Sequence, residues 1–212
     1  MNAAPVLLVG VDEAGRGPWL GPVFAAAVIL PTAFDLPGLT DSKKLSAPRR
    51  ERLFDAIQAQ AVAWHIASSS AAEIDQHNIL QATLLAMRRA VLALPGLGEA
   101  LPLAQIQVRV DGNRAPDLAP VPRAQVQTVI GGDAQVAAIS AASILAKVAR
   151  DRWCAQAEAQ WPGYGLAQHK GYGTAVHASA LATLGPCPEH RHSFAPVRRA
   201  LESRDLAGQG GA

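Results

Sequence analysis

Two periodicities alternate along the chain. Short apolar runs bounded by glycine, proline or charge, at residues 6–12 and 23–30, predict buried strands, and the connection between them is short enough for antiparallel pairing. Residues 62–69 form a third such segment. In residues 105–111, Ile106, Val108 and Val110 alternate with Gln107 and Arg109, the pattern of a strand with one buried face, and residues 124–130 alternate likewise. Between these lie helical stretches. Ser46 precedes one over residues 47–61, with Pro48 in the first turn, where a missing N–H costs nothing. Ser70 and Glu73 have capping-box spacing at the start of a longer helix, whose apolar positions Ile79, Leu80, Thr83, Leu84, Met87, Val91 and Leu94 recur at helical intervals until Pro95-Gly96 ends it. Residues 133–161 predict a long helix rich in small side chains, able to lie close on a sheet.

This order, a strand meander, helices, then two strands each followed by a helix or loop, predicts an α/β sheet of mixed direction flanked by helices. It is not the strict repeat of a doubly wound fold, and no internal repeat is present. From Pro162 the chain is richer in glycine, histidine and basic residues. One domain over residues 1–204, with a frayed tail at 205–212, is the expected organisation.

Composition narrows the class. With 212 residues, 50% hydrophobic and 17% charged, the chain is globular and long enough for a sizeable core. A net charge of +2 does not announce a nucleic-acid binder, but permits one whose basic residues gather on one face. Cys154 and Cys187 are not in a C-x-x-C pattern, so neither a zinc site nor a disulfide framework is expected. The N-terminus has no basic segment before its apolar run, and every apolar stretch falls short of the ~18 residues of a membrane span. A cytoplasmic protein follows, and without heptads a monomer is the expected state.

The candidate chemistry lies in acids at strand ends. Asp12 ends the first strand, Asp111 ends the fourth, and Asp133 follows the fifth. If those strands are neighbours, the three converge at one sheet edge, a common place for α/β sites. Glu13 joins them only if the chain bends at once, since adjacent strand residues point to opposite faces; the Ala14-Gly15 step could supply that bend. Crowded carboxylates need protons or a cation. An all-oxygen set suits Mg2+ or Mn2+ rather than zinc, and a pair of such ions can clamp the two oxygens of an in-line phosphoryl displacement. Each acid also has a plain structural explanation: a turn former after a strand, or, for Asp133, a helix N-cap. The glycines of "GRGPWLG" do not form a dinucleotide fingerprint, because the third comes one position late and a strand follows; no phosphate-loop motif of nucleotide triphosphatases occurs either.

Six segments in order, "GVDEAGRGPWLGPV", "LTDSKKLS", "VDGN", "GGDAQVAAISAASILAKVARD", "YGLAQHKGYGT" and "GPCPEHRHSF", resemble the successive blocks of the ribonuclease HII family from about Val9 to Val197. The related HIII family has threonine at the place of Arg16 and an extra N-terminal domain, so HII is the nearer resemblance. It implies a ribonuclease H-like mixed five-stranded sheet with a C-terminal helical extension. It further implies hydrolysis of the RNA strand of RNA–DNA hybrids, including cutting 5′ of a single ribonucleotide in duplex DNA, to leave 3′-hydroxyl and 5′-phosphate ends. Asp12, Glu13, Asp111 and Asp133 match the family's four metal-binding, catalytic carboxylates, with Asp12 and Asp111 as the bridging candidates. Asp151 lies about five turns along the helix from Asp133 and is left out.

The same resemblance assigns the substrate contacts. Gly15-Arg16-Gly17 matches the element that reads the ribose, where glycines let backbone groups approach the sugar and the 2′-OH is what distinguishes RNA from DNA. Tyr172 matches the tyrosine that stacks on the sugar of the next deoxynucleotide; from the residues alone it is equally a turn aromatic between glycines. Lys43 and Lys44 match phosphate contacts, Lys43 the better by position, with a solvated loop as the alternative. Ser140, Ser143 and Lys147 share one helix side, which could face substrate or simply pack. His190, Arg191 and His192 are consecutive, which suits local structure or backbone contact rather than metal ligation. Trp19 stands where a small or aliphatic residue is expected, either seating the loop or touching substrate. The tail shows no glutamine-plus-aromatic motif for a sliding clamp. Two other readings stay open: a DNA nuclease on the same fold, and a hybrid-binding protein that does not cut.

Overall fold

A computed structural model of the chain describes residues 6–97, 105–119 and 124–209. Five strands form one sheet in the order β3-β2-β1-β4-β5: β1 Val6–Ala14, β2 Val23–Ile29, β3 Ala63–Ser69, β4 Gln105–Asp111 and β5 Ala124–Val129. β1 and β2 pair antiparallel, with Asp12 opposite Ala26, whereas β1–β4 and β4–β5 are parallel. The helices are α1 Ala47–Gln60, α2 Ala71–Leu92, α3 Ala137–Gln160, α4 Leu166–His169, α5 Ala175–Leu184 and α6 Ala195–Gln209. The mixed α/β architecture read from the sequence is therefore the one found. No helix among the described residues is long and apolar enough to cross a membrane.

The chain divides into two compact units. The first, Met1–Ala14, Phe24–Ser68 and Thr83–Ala149, holds the sheet. Its core sets Ala26 and Val28 of β2 against Leu53, Phe54 and Ile57 of α1 and the 141–148 stretch of α3. The small residues of α3 matter at one point in particular. A Cβ on Gly10 of β1 would come within 2.1 Å of the Ala138 backbone, so the helix crosses the strand where only glycine leaves room. Close packing of that kind fixes the depth at which α3 presents its hydroxyls to the strand ends.

The second unit comprises Gly15–Val23, Ser69–Ala82 and Arg150–Ala212. Its core joins Leu20, Ala157, Tyr164, Leu166 and Cys187, flanked by Trp153, Trp161 and Ala180. The Tyr164 hydroxyl donates to the Gly185 carbonyl at 2.6 Å, which satisfies its buried polar end. The capping box forms as read: Ser70 N–H donates to Glu73 Oε2 at 2.9 Å, and Glu73 N–H to Ser70 Oγ at 3.2 Å.

Three details differ from the sequence reading. Helix α2 is interrupted at Asn78, whose φ of 68° and ψ of 163° are not helical. Its Oδ1 accepts from Leu80 and Gln81 N–H at 3.0 and 3.1 Å and so caps a second helical segment, a role Asn fills because it tolerates positive φ. The long helix starts at Ala137 rather than at Asp133, which sits in a 3-10 turn, Gly132–Ala134, and does not serve as its N-cap. Finally, the tail expected from residue 205 begins within α6, which continues to Gln209; residues 210–212 lie outside the described residues.

Candidate active site

In the first unit, Asp12, Asp111 and Asp133 each offer an oxygen that lies within 4.8 Å of the others'. Parallel pairing of β1 with β4 and of β4 with β5 produces this convergence, because it brings the three strand ends to one edge. The backbone holds each acid in its own way. Glu13 N–H donates to Asp12 Oδ1 at 2.7 Å. Asp111 Oδ1 accepts from Gly132 N–H at 2.8 Å and from Asp133 N–H at 3.4 Å, so the turn after β5 is tied to the end of β4. Gly131 makes that turn possible with a φ of +65°.

Glu13 is not part of this group. β1 continues through Ala14, still paired with β2, and Glu13 follows Asp12 directly within it. Its charge still acts on Asp12. Burial raises the Asp12 pKa well above the ordinary carboxylate value, and the charges of Glu13 and Asp111 push it further in the same direction. Asp133 is raised for similar reasons, first burial and then Asp111 and Asp41, while Lys43 opposes the shift.

Helix α3 and the segment before α1 supply the surroundings. Asp41 caps the 3-10 turn Ser42–Lys44 by accepting from Lys43 N–H at 2.9 Å. Buried Ser42 and Ser143 share a 2.8 Å hydroxyl contact that anchors this turn to α3. Lys43 Nζ then stands 3.9 Å from Asp133, exposed enough that water screens the pair. Burial works against the Lys43 charge, yet Asp41, Asp12, Asp133 and Asp111 together raise its pKa. Lys44 is exposed on the same turn. Ser140 and Ser143 are buried: Ser140 donates to the Asp133 carbonyl at 2.6 Å, and a Ser143 hydrogen bond tempers the Asp12 shift. These hydroxyls brace the acids from within the protein.

In the second unit the Gly15–Gly21 segment is shaped by two buried arginines. Arg191, fully buried, donates to four carbonyls: Gly15 at 2.6 Å, Arg16 at 2.9 Å, Pro18 at 2.7 Å and Gly21 at 2.8 Å. Its guanidinium also lies 5.2 Å from the Phe194 ring centroid. Burial and the neighbouring Arg150 lower its pKa to about 9, which leaves it charged at neutral pH. Arg150 donates to the Leu20 and Lys170 carbonyls at 3.2 and 3.0 Å. Gly15, at φ +96°, passes so close that a Cβ there would fall 2.0 Å from Arg150 Nε. With its carbonyls turned inward to the arginines, the loop leaves Arg16 and Gly17 exposed.

Tyr172, 49% exposed, adjoins that surface: a Cβ on Gly17 would sit 3.4 Å from its ring. Trp19 lies beneath the Tyr172 segment, with its ring centroid 5.2 Å from that of His177 and no space for a Cβ on Gly173. The Trp19 backbone N–H donates to the Gly171 carbonyl at 2.8 Å. Half-buried Trp19 packs against the Gly173–His177 segment. The backbone contact expected of the 190–192 run is made by Arg191, though with a segment more than a hundred residues away, while Arg150 is the residue that local pattern did not mark.

The sequence model of the family described as Ribonuclease HII matches residues 9–197. Two curated relatives bear the same name. One, from Acidovorax sp. (strain JS42), is 60% identical over 94% of this chain and 90% of its own length; the other, from Polaromonas sp. (strain JS666 / ATCC BAA-500), is 59% identical over 93% and 94%. Among solved structures, the ribonuclease H2 of Pyrococcus horikoshii OT3 superposes with a TM-score of 0.74 at 25% identity, covering 93% of this chain and 98% of that one. Bst-RNase HIII in complex with Mn2+ shares the fold at 20% identity and a TM-score of 0.72, covering 96% of this chain and 71% of its own. The family match runs through the acid group, the arginine-bound loop and Tyr172 alike, and at this identity the chain belongs to the ribonuclease HII family and is a type 2 ribonuclease H, an endoribonuclease.

Proposed function

We propose that this enzyme cuts the RNA strand of RNA–DNA hybrids and, in duplex DNA, cuts 5′ of a single embedded ribonucleotide. Water attacks the phosphorus in line, the bond to the 3′-oxygen on the 5′ side breaks, and that oxygen takes a proton. The products are a 3′-hydroxyl and a 5′-phosphate. The ribose 2′-hydroxyl is read but does not react.

Asp12, Glu13, Asp111 and Asp133 fit a hard divalent cation, Mg2+ or Mn2+, with Asp12, Asp111 and Asp133 already within 4.8 Å of one another. The donors are all carboxylate oxygens, and their mutual repulsion is relieved by positive charge. A cation bound there would supply Lewis acidity to the phosphate and lower the pKa of water. Lys43 adds a positive charge beside Asp133 for the substrate phosphate, with Lys44 next to it on the turn. The Gly15-Arg16-Gly17 backbone reads the ribose, and Tyr172 stacks on the sugar that follows.

The observation that carries this reading is the adjacency of Gly17 and Tyr172, one a bare stretch of backbone and the other an exposed aromatic face. That pairing suits a sugar bearing a 2′-hydroxyl followed by one without it. The test is cleavage of end-labelled duplex DNA containing one ribonucleotide, with Mg2+, Mn2+ or a chelator, beside an all-DNA duplex and an Asp111→Asn variant. Metal-dependent cutting 5′ of the ribonucleotide, absent from DNA and from the variant, is expected. Equal cutting of plain DNA would overturn the ribose assignment. Binding without cleavage in either metal would favour the non-cutting alternative.

A further inference from the structure

The second unit contains a buried pair of histidines that the proposed chemistry does not use. His177 and His190 are 0% and 1% exposed, and their Nε2 atoms lie 3.1 Å apart. Their outer partners determine where the protons sit. His190 Nδ1 accepts from Cys187 N–H at 2.9 Å, so the proton of a neutral His190 is on Nε2. His177 Nδ1 faces the Tyr172 carbonyl at 3.0 Å, and since a carbonyl can only accept, the His177 proton is on Nδ1. His190 Nε2–H therefore donates to His177 Nε2. The result is a one-way chain from Cys187 N–H through both rings to the Tyr172 carbonyl, with no nitrogen left over.

We propose that His177 and His190 are positioning residues for substrate discrimination, a neutral two-ring relay that sets the Tyr172 backbone and hence the pose of its ring. This rests on the reading of Tyr172 as the residue that stacks on the deoxyribose. The neighbouring bonds fit the role. Tyr172 N–H donates to the His169 carbonyl at 3.0 Å, and its own carbonyl also accepts from Thr174 N–H at 2.8 Å. His169 stacks on His177 with 4.7 Å between centroids. The Tyr172 backbone is thus held on both sides, while its ring projects outward. Burial also lowers the pKa of both relay histidines, as neutral rings require. A family member that tests a sugar by stacking needs its aromatic placed to a fraction of an ångström, and a rigid hydrogen-bonded support supplies that.

A double-mutant cycle tests the relay. His177→Phe keeps a ring of similar size but cannot donate to Tyr172, whereas His177→Asn can place its amide N–H near the former Nδ1. Each is made alone and together with Tyr172→Ala, and kcat and KM are measured on duplex DNA with one ribonucleotide. The Phe variant is expected to lose about tenfold in kcat/KM, with the Asn variant within about threefold of the parent. In the Tyr172→Ala background the His177→Phe loss should shrink to less than about twofold, because the relay acts through Tyr172. A full tenfold loss in that background would overturn the proposal while leaving the Tyr172 reading intact. If Tyr172→Ala alone is without effect, the Tyr172 reading itself fails. Imidazole nitrogen NMR of the unsubstituted protein at pH 7 gives a check independent of any variant's folding: His177 protonated on Nδ1 and His190 on Nε2 support the relay, and a charged ring or the opposite tautomer at either position overturns it.

Discussion

The acid group and the arginine-bound loop solve opposite electrostatic problems. At the strand ends, like charges are brought together: Asp12 is almost fully buried, and burial, Glu13 and Asp111 all disfavour its charged form. In the loop, a buried cation is met by acceptors despite the neighbouring Arg150, and Arg191 donates to four carbonyls. The first arrangement holds repulsion that a bound cation would relieve; the second is complete by itself. Under the proposed function, a cation site is best left under-neutralised, so that binding is favourable, whereas a loop that is to present its backbone to a sugar is best held rigid beforehand. The same chain achieves one with a sheet edge and the other with long side chains reaching across a helical unit.

The sharpest way to break this contrast is to remove one charge from each side. Asp111→Asn should reduce cleavage by on the order of 10^2–10^3-fold or more, the range for losing a preorganised electrostatic group, with no loss of thermal stability in chelator. Arg191→Met should do the reverse and act first on stability: four carbonyls, two of them in buried bonds and two in part-buried ones, lose a charged donor, at a cost of about 3 kcal/mol or more in urea unfolding. Stability unchanged in Arg191→Met would mean that the loop is not held as described. Gly15→Ala should cost about 1–3 kcal/mol, from its φ of +96° and the collision with Arg150. Gly17→Ala is the companion variant: its Cβ meets Tyr172 at 3.4 Å, an ordinary contact, so stability should stay within about 0.5 kcal/mol while ribonucleotide cleavage falls.

A smaller effect is the pH dependence, which has opposite signs in the two units. Asp12 ionises at about pH 4 in an unfolded chain and at higher pH when folded. The folded state therefore binds more protons across that window, and stability present below about pH 4 is lost as the pH rises through the folded value. His190 is lowered from 6.5 to about 4, chiefly by burial and then by His177. Its contribution is present above pH 6.5 and lost as the pH falls towards 4. Melting temperatures in chelator should accordingly respond to Asp12→Asn on the neutral and alkaline side, and adding Mn2+ should raise them more at pH 8 than at pH 5. A cation-induced rise independent of pH would argue against the acid group as the site of binding.

Much of the sheet and its acids could be read from local pattern. Residues 105–111 alternate without a break and form β4 over the same residues, and Asp12 and Asp111 are recognisable as charges that terminate apolar runs. The capping box at Ser70 was equally legible, because both of its partners lie within one helical turn. The break at Asn78 is not legible in this way: the apolar spacing of α2 starts only after it, at Ile79, and the backbone angles reveal the interruption. Asp133 is legible as an acid following β5, but the 3-10 turn that holds it is not, because so short an element leaves no periodicity to detect.

What the sequence determined by itself, then, is what depends on neighbours in the chain: strand and helix type, the glycine turns, and which carboxylates end which strands. Tertiary structure alone decided the rest. The parallel pairing of β1, β4 and β5 brings Asp12, Asp111 and Asp133 together from three separate segments of the chain. Arg191 finds the Gly15 carbonyl 176 residues away, and the hydroxyls of Ser42 and Ser143 meet across 101. Even the proton positions on His177 and His190 are set by partners that no periodicity marks, because a hydrogen bond is chosen by the atoms that folding brings within 3 Å of it.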